Sequence, residues 1–434
     1  MKSIGRLSDF AARLRRLIHA SSGRVPPQSG SRFYGTPASA GSTHGRTSPQ
    51  AGSPLYAGGQ PRPEPWRAGL PDAVFNSLAL ELFRLQFEHN EPYRRICEAR
   101  DVGPEDAADW SCIPAAPAVA FKELELSCLP PEERTAVFYS SGTTREGRSR
   151  HFHNHQSLPP SPQKPATADR QRSRHFHSDQ SLGLYQASLT PWFEANVTGC
   201  GCRFDDWHLA ILAPAPAQAP HSSLVHMFET VRRRLGSTAS AFLGRAAPDG
   251  AWSLDLEAAT AALQSSVRSA KPLLLLGTAF MFVRLLDHLA TQGLELELPP
   301  RSRAMETGGY KGRSRALPAD QLRALITRRL GIPPARIIRE YGMTELSSQA
   351  YAGPPGSARP FRFPAWARVQ IISPETGQEV SEGQTGLIRV FDLANVFSVL
   401  AIQTEDLAVR RADGFELLGR AALAEPRGCS LMTQ

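Results

Sequence analysis

The sequence predicts an α/β fold, with helices layered over mostly parallel sheets and an antiparallel β sub-domain at the C-terminal end. Two observations carry this expectation. Short apolar runs at His208–Leu212, Leu273–Leu276 and Ile337–Arg339 alternate with helical patterns at Ser222–Arg234, Ala279–Ala290 and Asp320–Leu330, and such alternation builds parallel sheets. From about residue 368 the texture changes. ARVQIIS, GLIRVFD, SVLAIQTEDLAVRR and GFELLGR alternate or run apolar between glycine-bearing turns, as antiparallel strands do. At 434 residues the chain can bury a large core and hold two sub-domains.

In chain order, residues 1–69 come first and read as a basic, Ser/Gly/Pro-rich disordered extension. They carry ten basic groups and two acids, which equals the whole net charge of +8. The basicity therefore belongs to a tail, and a nucleic-acid partner is not expected. Within the tail, Leu7, Phe10, Leu14 and Leu17 recur at helical spacing against Arg6, Arg13 and Arg16. Such an acid-poor amphipathic start suits an organellar transit peptide or simply a ragged extension. No run of about 18 apolar residues occurs, so no membrane span is expected. The six cysteines are scattered without a Cys-x-x-Cys pair. Free thiols in a reducing, cytoplasmic compartment fit that usage, and Cys200-Gly-Cys202 is a weak metal or redox signal.

The folded region is expected over 70–434. Phe75, Leu78, Leu82, Phe83 and Gln86/Phe87 predict an amphipathic helix that Pro92 ends. Thr135–Tyr139 predicts a buried strand running into Ser140-Ser141-Gly142-Thr143-Thr144. Just beyond, RSRHFHNHQSL (148–158) recurs as RSRHFHSDQSL (172–182), matching at 9 of 11 positions with an offset of 24. One repeat is too short for a solenoid, so 151–174 reads as a tandem-duplicated insertion. The closure entropy of a longer loop is small. Alternate histidines, His151, His153 and His155 in one copy and His175 and His177 in the other, invite a metal reading because they share one face of a strand.

Four segments carry candidate chemistry, the first three with a plain structural counterpart. Ser140 to Thr144 with Gly147 follows a strand and can turn backbone N–H groups and hydroxyls onto a polyphosphate, or form an ordinary turn. Glu306-Thr307-Gly308-Gly309-Tyr310 allows close approach to a flat ligand, or is a tight turn with Lys311 solvated beside it. Tyr341-Gly342-Met343-Thr344-Glu345 can hold phosphate oxygens and Mg²⁺ at a strand end, or Thr344 can cap a helix. Asp406 in Thr404-Glu405-Asp406 can accept from ribose hydroxyls, and Arg420 can face phosphate.

The order and spacing of these segments resemble the adenylate-forming superfamily of acyl-CoA synthetases, adenylation domains and luciferases. ETGGYKGRSR, YGMTELSSQ, SSGTT followed by RSRHFH, and LGRAALAEPRGCSL resemble, within it, the acyl-protein synthetase family of the bacterial luminescence operon (LuxE-like). The resemblance covers about 70–434, with 365–434 as the β sub-domain and cysteine-bearing tail. It implies ATP and Mg²⁺ as cofactors, with a carboxylic, fatty acid as substrate. Ser140, Ser141, Gly142, Thr143, Thr144 and Gly147 would wrap the phosphates, and Gly308, Gly309 and Tyr310 would flank adenine. Thr344 and Glu345 would serve the α-phosphate and the magnesium, Tyr341 would join the ATP site, Asp406 would bind ribose and Arg420 would orient the nucleotide.

Two departures from the superfamily stand out. The usual Thr-Gly-Asp is Thr404-Glu405-Asp406, and only fourteen residues follow Arg420. The small C-terminal domain of the superfamily is therefore expected to be absent. Cys429 on the terminal segment is the candidate acyl acceptor, a thiolate being a strong nucleophile; an acceptor protein such as a reductase is the other. An aryl- or phenylacetate-type CoA ligase and a non-catalytic nucleotide-binding module are the alternatives. Gly277–His288 could line an acyl pocket or lie in the core.

Overall fold

A computed structural model describes residues 2–21, 70–140, 172–199, 207–236, 239–248, 250–308, 317–353 and 360–421. Helix α1 (Lys2–Ser21) opens the chain, followed by α2 (Asp72–His89) and α3 (Glu91–Glu98). A two-residue strand β1 (Ala116–Pro117) and a single turn α4 (Ala120–Glu123) lead to the hairpin β2 (Ala136–Tyr139) and β3 (Arg174–His177). The α/β body follows: α5 (Asp179–Phe193), β4 (His208–Pro214), α6 (Ser223–Leu235), β5 (Ser240–Ala246), β6 (Trp252–Leu254), α7 (Leu256–Ser269), β7 (Leu273–Thr278), α8 (Ala279–Thr291), β8 (Arg303–Thr307), α9 (Ala319–Leu330), β9 (Ile337–Tyr341) and β10 (Ala350–Ala352). Four strands close the described chain: β11 (Ala367–Ile372), β12 (Thr385–Asp392), β13 (Ala401–Arg411) and β14 (Gly414–Arg420).

The central sheet has the order β10-β9-β8-β7-β4-β5-β6. Its five inner strands are parallel and both edge strands antiparallel. Period-two alternation explains why both faces are covered. Ala210, Leu212, Leu273 and Leu275 face one core, with α8 and α9. Leu209, Ile211, Leu274 and Leu276 face the other, with α5 and α6. Parallel strands of one sheet present their C-terminal ends on one edge, where open α/β sheets bind ligands. Met281, Phe282, Leu285 and Leu286 of Gly277–His288 belong to the first core, so this stretch is interior packing.

The C-terminal strands pair antiparallel in the order β11-β12-β13-β14, as the alternation predicts. β1 adds to them in parallel alongside β13. Their core is continuous with the N-terminal helices: Ile388, Val390 and Phe415 share one cluster with Phe10, Leu14, Phe75 and Phe83.

Two expectations are corrected. Residues 1–69 are not one disordered extension, because Leu7, Phe10, Ala11, Leu14 and Ile18 of α1 are buried against the body. Residues 22–69 lie outside the described residues. Pro92 does not merely end a helix. It occupies the first turn of α3, where its missing N–H costs nothing, and Asn90 caps that helix by accepting from the Tyr93 amide.

Candidate active site

The site is built at strand ends. β2 delivers Ser140, and the chain returns at Ser173. Ser140 N donates to Ser173 O (3.0 Å) and Ser173 N donates to Ser140 Oγ (2.9 Å). These bonds close the base of the Ser/Gly/Thr segment. Ser141, Gly142, Thr143, Thr144 and Gly147 lie outside the described residues, as do His151, His153, His155, Cys200, Cys202, Gly309, Tyr310, Lys311 and Cys429.

The second copy of the repeat forms β3. His175 and His177 face inward and are almost fully buried. His175 Nδ1 lies 2.9 Å from the carbonyl oxygen of Thr344. A carbonyl only accepts, so Nδ1 carries the hydrogen. Burial pushes the ring down to about 4, which keeps it neutral at pH 7. His177 Nδ1 meets the Ser181 hydroxyl at 3.1 Å, and burial holds this ring well below the ordinary histidine value. Both Nδ1 atoms are thus committed to protein groups. Among the described residues no cluster of three His, Cys, Asp or Glu side chains could hold a metal ion.

β8 ends at Thr307 and is followed by Gly308, whose φ of +68° favours glycine. Beside it, the Thr307 hydroxyl bonds the Glu340 carboxyl and Arg339 Nε sits 2.9 Å from Glu306. β9 ends at Tyr341, and a turn through Thr344 and Glu345 returns as β10. No helix follows Thr344, so the helix-cap alternative is set aside. A Cβ at Gly342 would come within 2.4 Å of Glu340 Oε1, so a larger residue there would require that carboxyl to shift.

Glu345 is buried, and desolvation raises its carboxyl above the ordinary glutamate value. A hydrogen bond from the Ser173 hydroxyl and the nearby charges of Arg420 and Lys122 act in the opposite direction. Asp406 accepts from Tyr341 Oη (2.9 Å) and has Arg420 Nε at 3.8 Å. Asp406 and Arg420 are cross-strand partners on β13 and β14. Burial raises Asp406, while Tyr341 and Arg420 oppose the rise. Thr404 Oγ1 accepts from the Asp406 amide (3.1 Å) and donates to Ile388 O (2.8 Å). That bond is the physical content of the Thr-x-Asp spacing.

Of the residues that the motifs mark, Ser140, Tyr341, Thr344, Glu345, Asp406 and Arg420 are therefore linked in one place, through Ser173 and His175. Gly308 follows the end of the adjacent strand. No motif marks Ser173, His175 as a loop anchor, or Lys122. Each is recognisable only by its partner across the fold, and for Ser173 the one sequence signal is the repeat itself.

Residues 222–434 match the family "Acyl-protein synthetase, LuxE". No curated protein sequence matches the chain. Among solved structures, an open conformation of 2-hydroxyisobutyryl-CoA ligase, in complex with 2-HIB-AMP and CoA, superposes with a TM-score of 0.56 at 14% identity, covering 81% of this chain and 71% of that one. The same ligase in its thioesterification state gives 0.54 at 14% identity, with 80% and 68% covered. At that identity the likeness establishes the fold, which is that of the adenylate-forming ligases. The matched segment, just under half of the chain, holds Gly308, Tyr341, Thr344, Glu345, Asp406, Arg420 and Cys429, and over it the chain is similar to the acyl-protein synthetase (LuxE) family.

Proposed function

We propose that the protein activates a carboxylic acid with ATP, forming an acyl-adenylate, and then passes the acyl group to a thiol. The observation that carries this reading is the convergence of Ser173, Glu345, Arg420, Asp406 and Tyr341, from distant parts of the chain, at one edge of a ligase fold.

In the first step a carboxylate oxygen of the acid bonds to the α-phosphorus of ATP. The α–β P–O bond breaks and pyrophosphate leaves. Such a reaction needs positioning and charge neutralisation more than covalent help from the protein. Asp406 accepts from the ribose hydroxyls, and Tyr341 holds it for that task. Arg420 and Lys122 neutralise phosphate charge. The Ser140–Thr144 segment, with Gly147, wraps the phosphates, and Gly308, Gly309 and Tyr310 flank the adenine. Thr344 and Glu345 offer hard oxygen donors, a set that fits Mg²⁺. When bound there, the ion would offset the negative charge of the phosphates.

In the second step a thiolate attacks the acyl carbonyl, AMP departs and a thioester forms. Cys429 is the proposed thiol, and a partner protein such as a reductase is the other acceptor. The family resemblance favours a fatty acid.

The test is isotope exchange between pyrophosphate and ATP across a panel of acids that includes several chain lengths and aryl acids. Exchange with at least one acid is expected. Exchange with none would reduce the protein to a nucleotide-binding module. Cys429→Ala should still exchange but capture no labelled acyl group. Full labelling of that variant removes Cys429 from the second step, and a product that requires added CoA makes the protein a CoA ligase.

A further inference from the structure

The turn carrying Thr344 and Glu345 is tied down by a second turn, Asp392–Asn395, which follows β12. Asp392 is fully buried and takes four hydrogen bonds. Oδ2 accepts from the amides of Ser347 (3.0 Å) and Ser348 (2.8 Å). Oδ1 accepts from the Ser348 hydroxyl (2.7 Å) and the Ala394 amide (3.0 Å). Asn395, equally buried, donates from Nδ2 to the carbonyls of Glu345 (2.8 Å) and Val399 (3.2 Å). Its Oδ1 accepts from the Ser347 hydroxyl (2.6 Å). Both carbonyls only accept, so the NH₂ must face them and the orientation of the amide follows.

A buried carboxylate is costly, and an apolar side chain of similar size would make a cheaper core. Here four donors offset that cost, and three of them come from Ser347 and Ser348. The polar groups are thus spent on the conformation of one turn. The strand that ends in Asp392 lies beside β13, which holds Asp406, and β13 pairs in turn with β14, which holds Arg420. One sheet therefore fixes both sides of the gap between Glu345 and Arg420.

Resting on the reading of the site above, we propose that Asp392 and Asn395 are positioning residues for acyl-adenylate formation. They pin the backbone on both sides of Leu346, so that the Glu345 carboxyl stays turned toward Ser173 and Arg420. Neither touches the nucleotide; both act through Glu345.

Asn395→Asp is the sharpest probe. It keeps the shape but turns an oxygen toward two carbonyl oxygens. Ser347→Ala removes only the bond to Oδ1, and it serves if the first variant fails to fold. Misplacement by about 1 Å can cost about 100-fold in rate. Asn395→Asp should therefore lower kcat for pyrophosphate release about 30-fold or more, and Ser347→Ala about 3- to 10-fold, in line with one lost hydrogen bond. In both variants the Mg²⁺ concentration for half-maximal rate should rise while KM for the acid stays put. A merely structural role would lower the melting temperature and leave kcat per folded molecule and the Mg²⁺ requirement at wild-type values; that result overturns the proposal. If the wild type binds Mg·ATP yet releases no pyrophosphate with any acid, the reaction reading falls and the clamp is judged on Mg·ATP affinity. Ser347→Ala should then weaken that affinity at least about 3-fold, and an unchanged affinity sinks the clamp. A wild type that binds no Mg·ATP sinks both readings.

Discussion

Among the described residues, Glu340 makes no ion pair with a cation. The guanidinium beside it on β9, that of Arg339, goes to Glu306 instead. Burial raises the Glu340 carboxyl to about 7, and Glu306 adds to the rise. The Thr307 hydroxyl, which favours the ionised form, does not outweigh them. A carboxyl raised in the folded state binds its proton more tightly there than in the unfolded chain. Its contribution to stability is therefore greatest below the unfolded value of 4.5 and is lost as the pH rises to about 7. The shift corresponds to something on the order of 3 kcal/mol. Glu340→Gln should remove this slope and make the protein more stable than wild type at pH 8, as measured by urea unfolding at several pH values. Parallel curves for the two proteins would show that Glu340 does not titrate in this window. None of this was legible in the sequence, because burial sets it and the groups that modify it sit on the neighbouring strand, Thr307 being 33 residues away. Thr344, Glu345, Asp406 and Arg420 were legible because their motifs are local. Asn395 and Ser173 were not, since each is defined by a partner far along the chain.

At the scale of elements, hydrophobic period carried most of the information. The helical spacing of Leu7, Phe10 and Leu14 is the spacing that α1 buries. Composition pointed the other way, because the helix shares its net charge and its neighbourhood with a Ser/Gly/Pro-rich segment. Packing settles the conflict. Phe10, Leu14 and Ile18 are essentially inaccessible, and each such side chain contributes roughly 1.5–3 kcal/mol by burial. The ion pairs from α1 to Glu81 and Glu88 are about half exposed, and exposed pairs give about 0–1 kcal/mol. The apolar face therefore holds α1 in place and the charges do not. Phe10→Ala should destabilise by about 3–5 kcal/mol, and Glu88→Ala by less than about 1 kcal/mol. The two are compared by thermal or urea unfolding, and equal losses would assign the docking to the ion pairs. The turn after β9 shows the opposite limit of local signals. Thr344-Glu345 satisfies the pattern of a helix start, yet the backbone turns back into β10 because Asp392 and Asn395 supply the hydrogen bonds that a helix would have made internally.

At the scale of the whole molecule, chain order concealed the larger relation. The C-terminal strands were legible as strands, but nothing in their pattern shows that they share a core with α1 and α2 or that β1 joins their sheet. The tandem repeat is the other long-range feature, and here the structure sharpens what the sequence suggests. The second copy does the folding work: Arg174–His177 pairs with β2, Ser173 closes the loop base and reaches Glu345, and Arg174 lies 3.3 Å from Glu125. Deleting residues 151–174 joins Arg148-Ser149-Arg150 directly to His175-Phe176-His177. The same six letters are restored, with Ser149 in the place of Ser173 and Arg150 in that of Arg174. Every contact of the second copy can then be remade, and the connection between β2 and β3 becomes 24 residues shorter. Shortening a loop on this scale alters closure entropy by only about 1 kcal/mol. The deletion variant should therefore fold with a melting temperature equal to or above that of the wild type, and it should keep or raise pyrophosphate exchange. A variant that melts normally but has lost exchange would show that the reaction uses the inserted residues. A variant that does not fold would show that Ser149 and Arg150 cannot take over from Ser173 and Arg174.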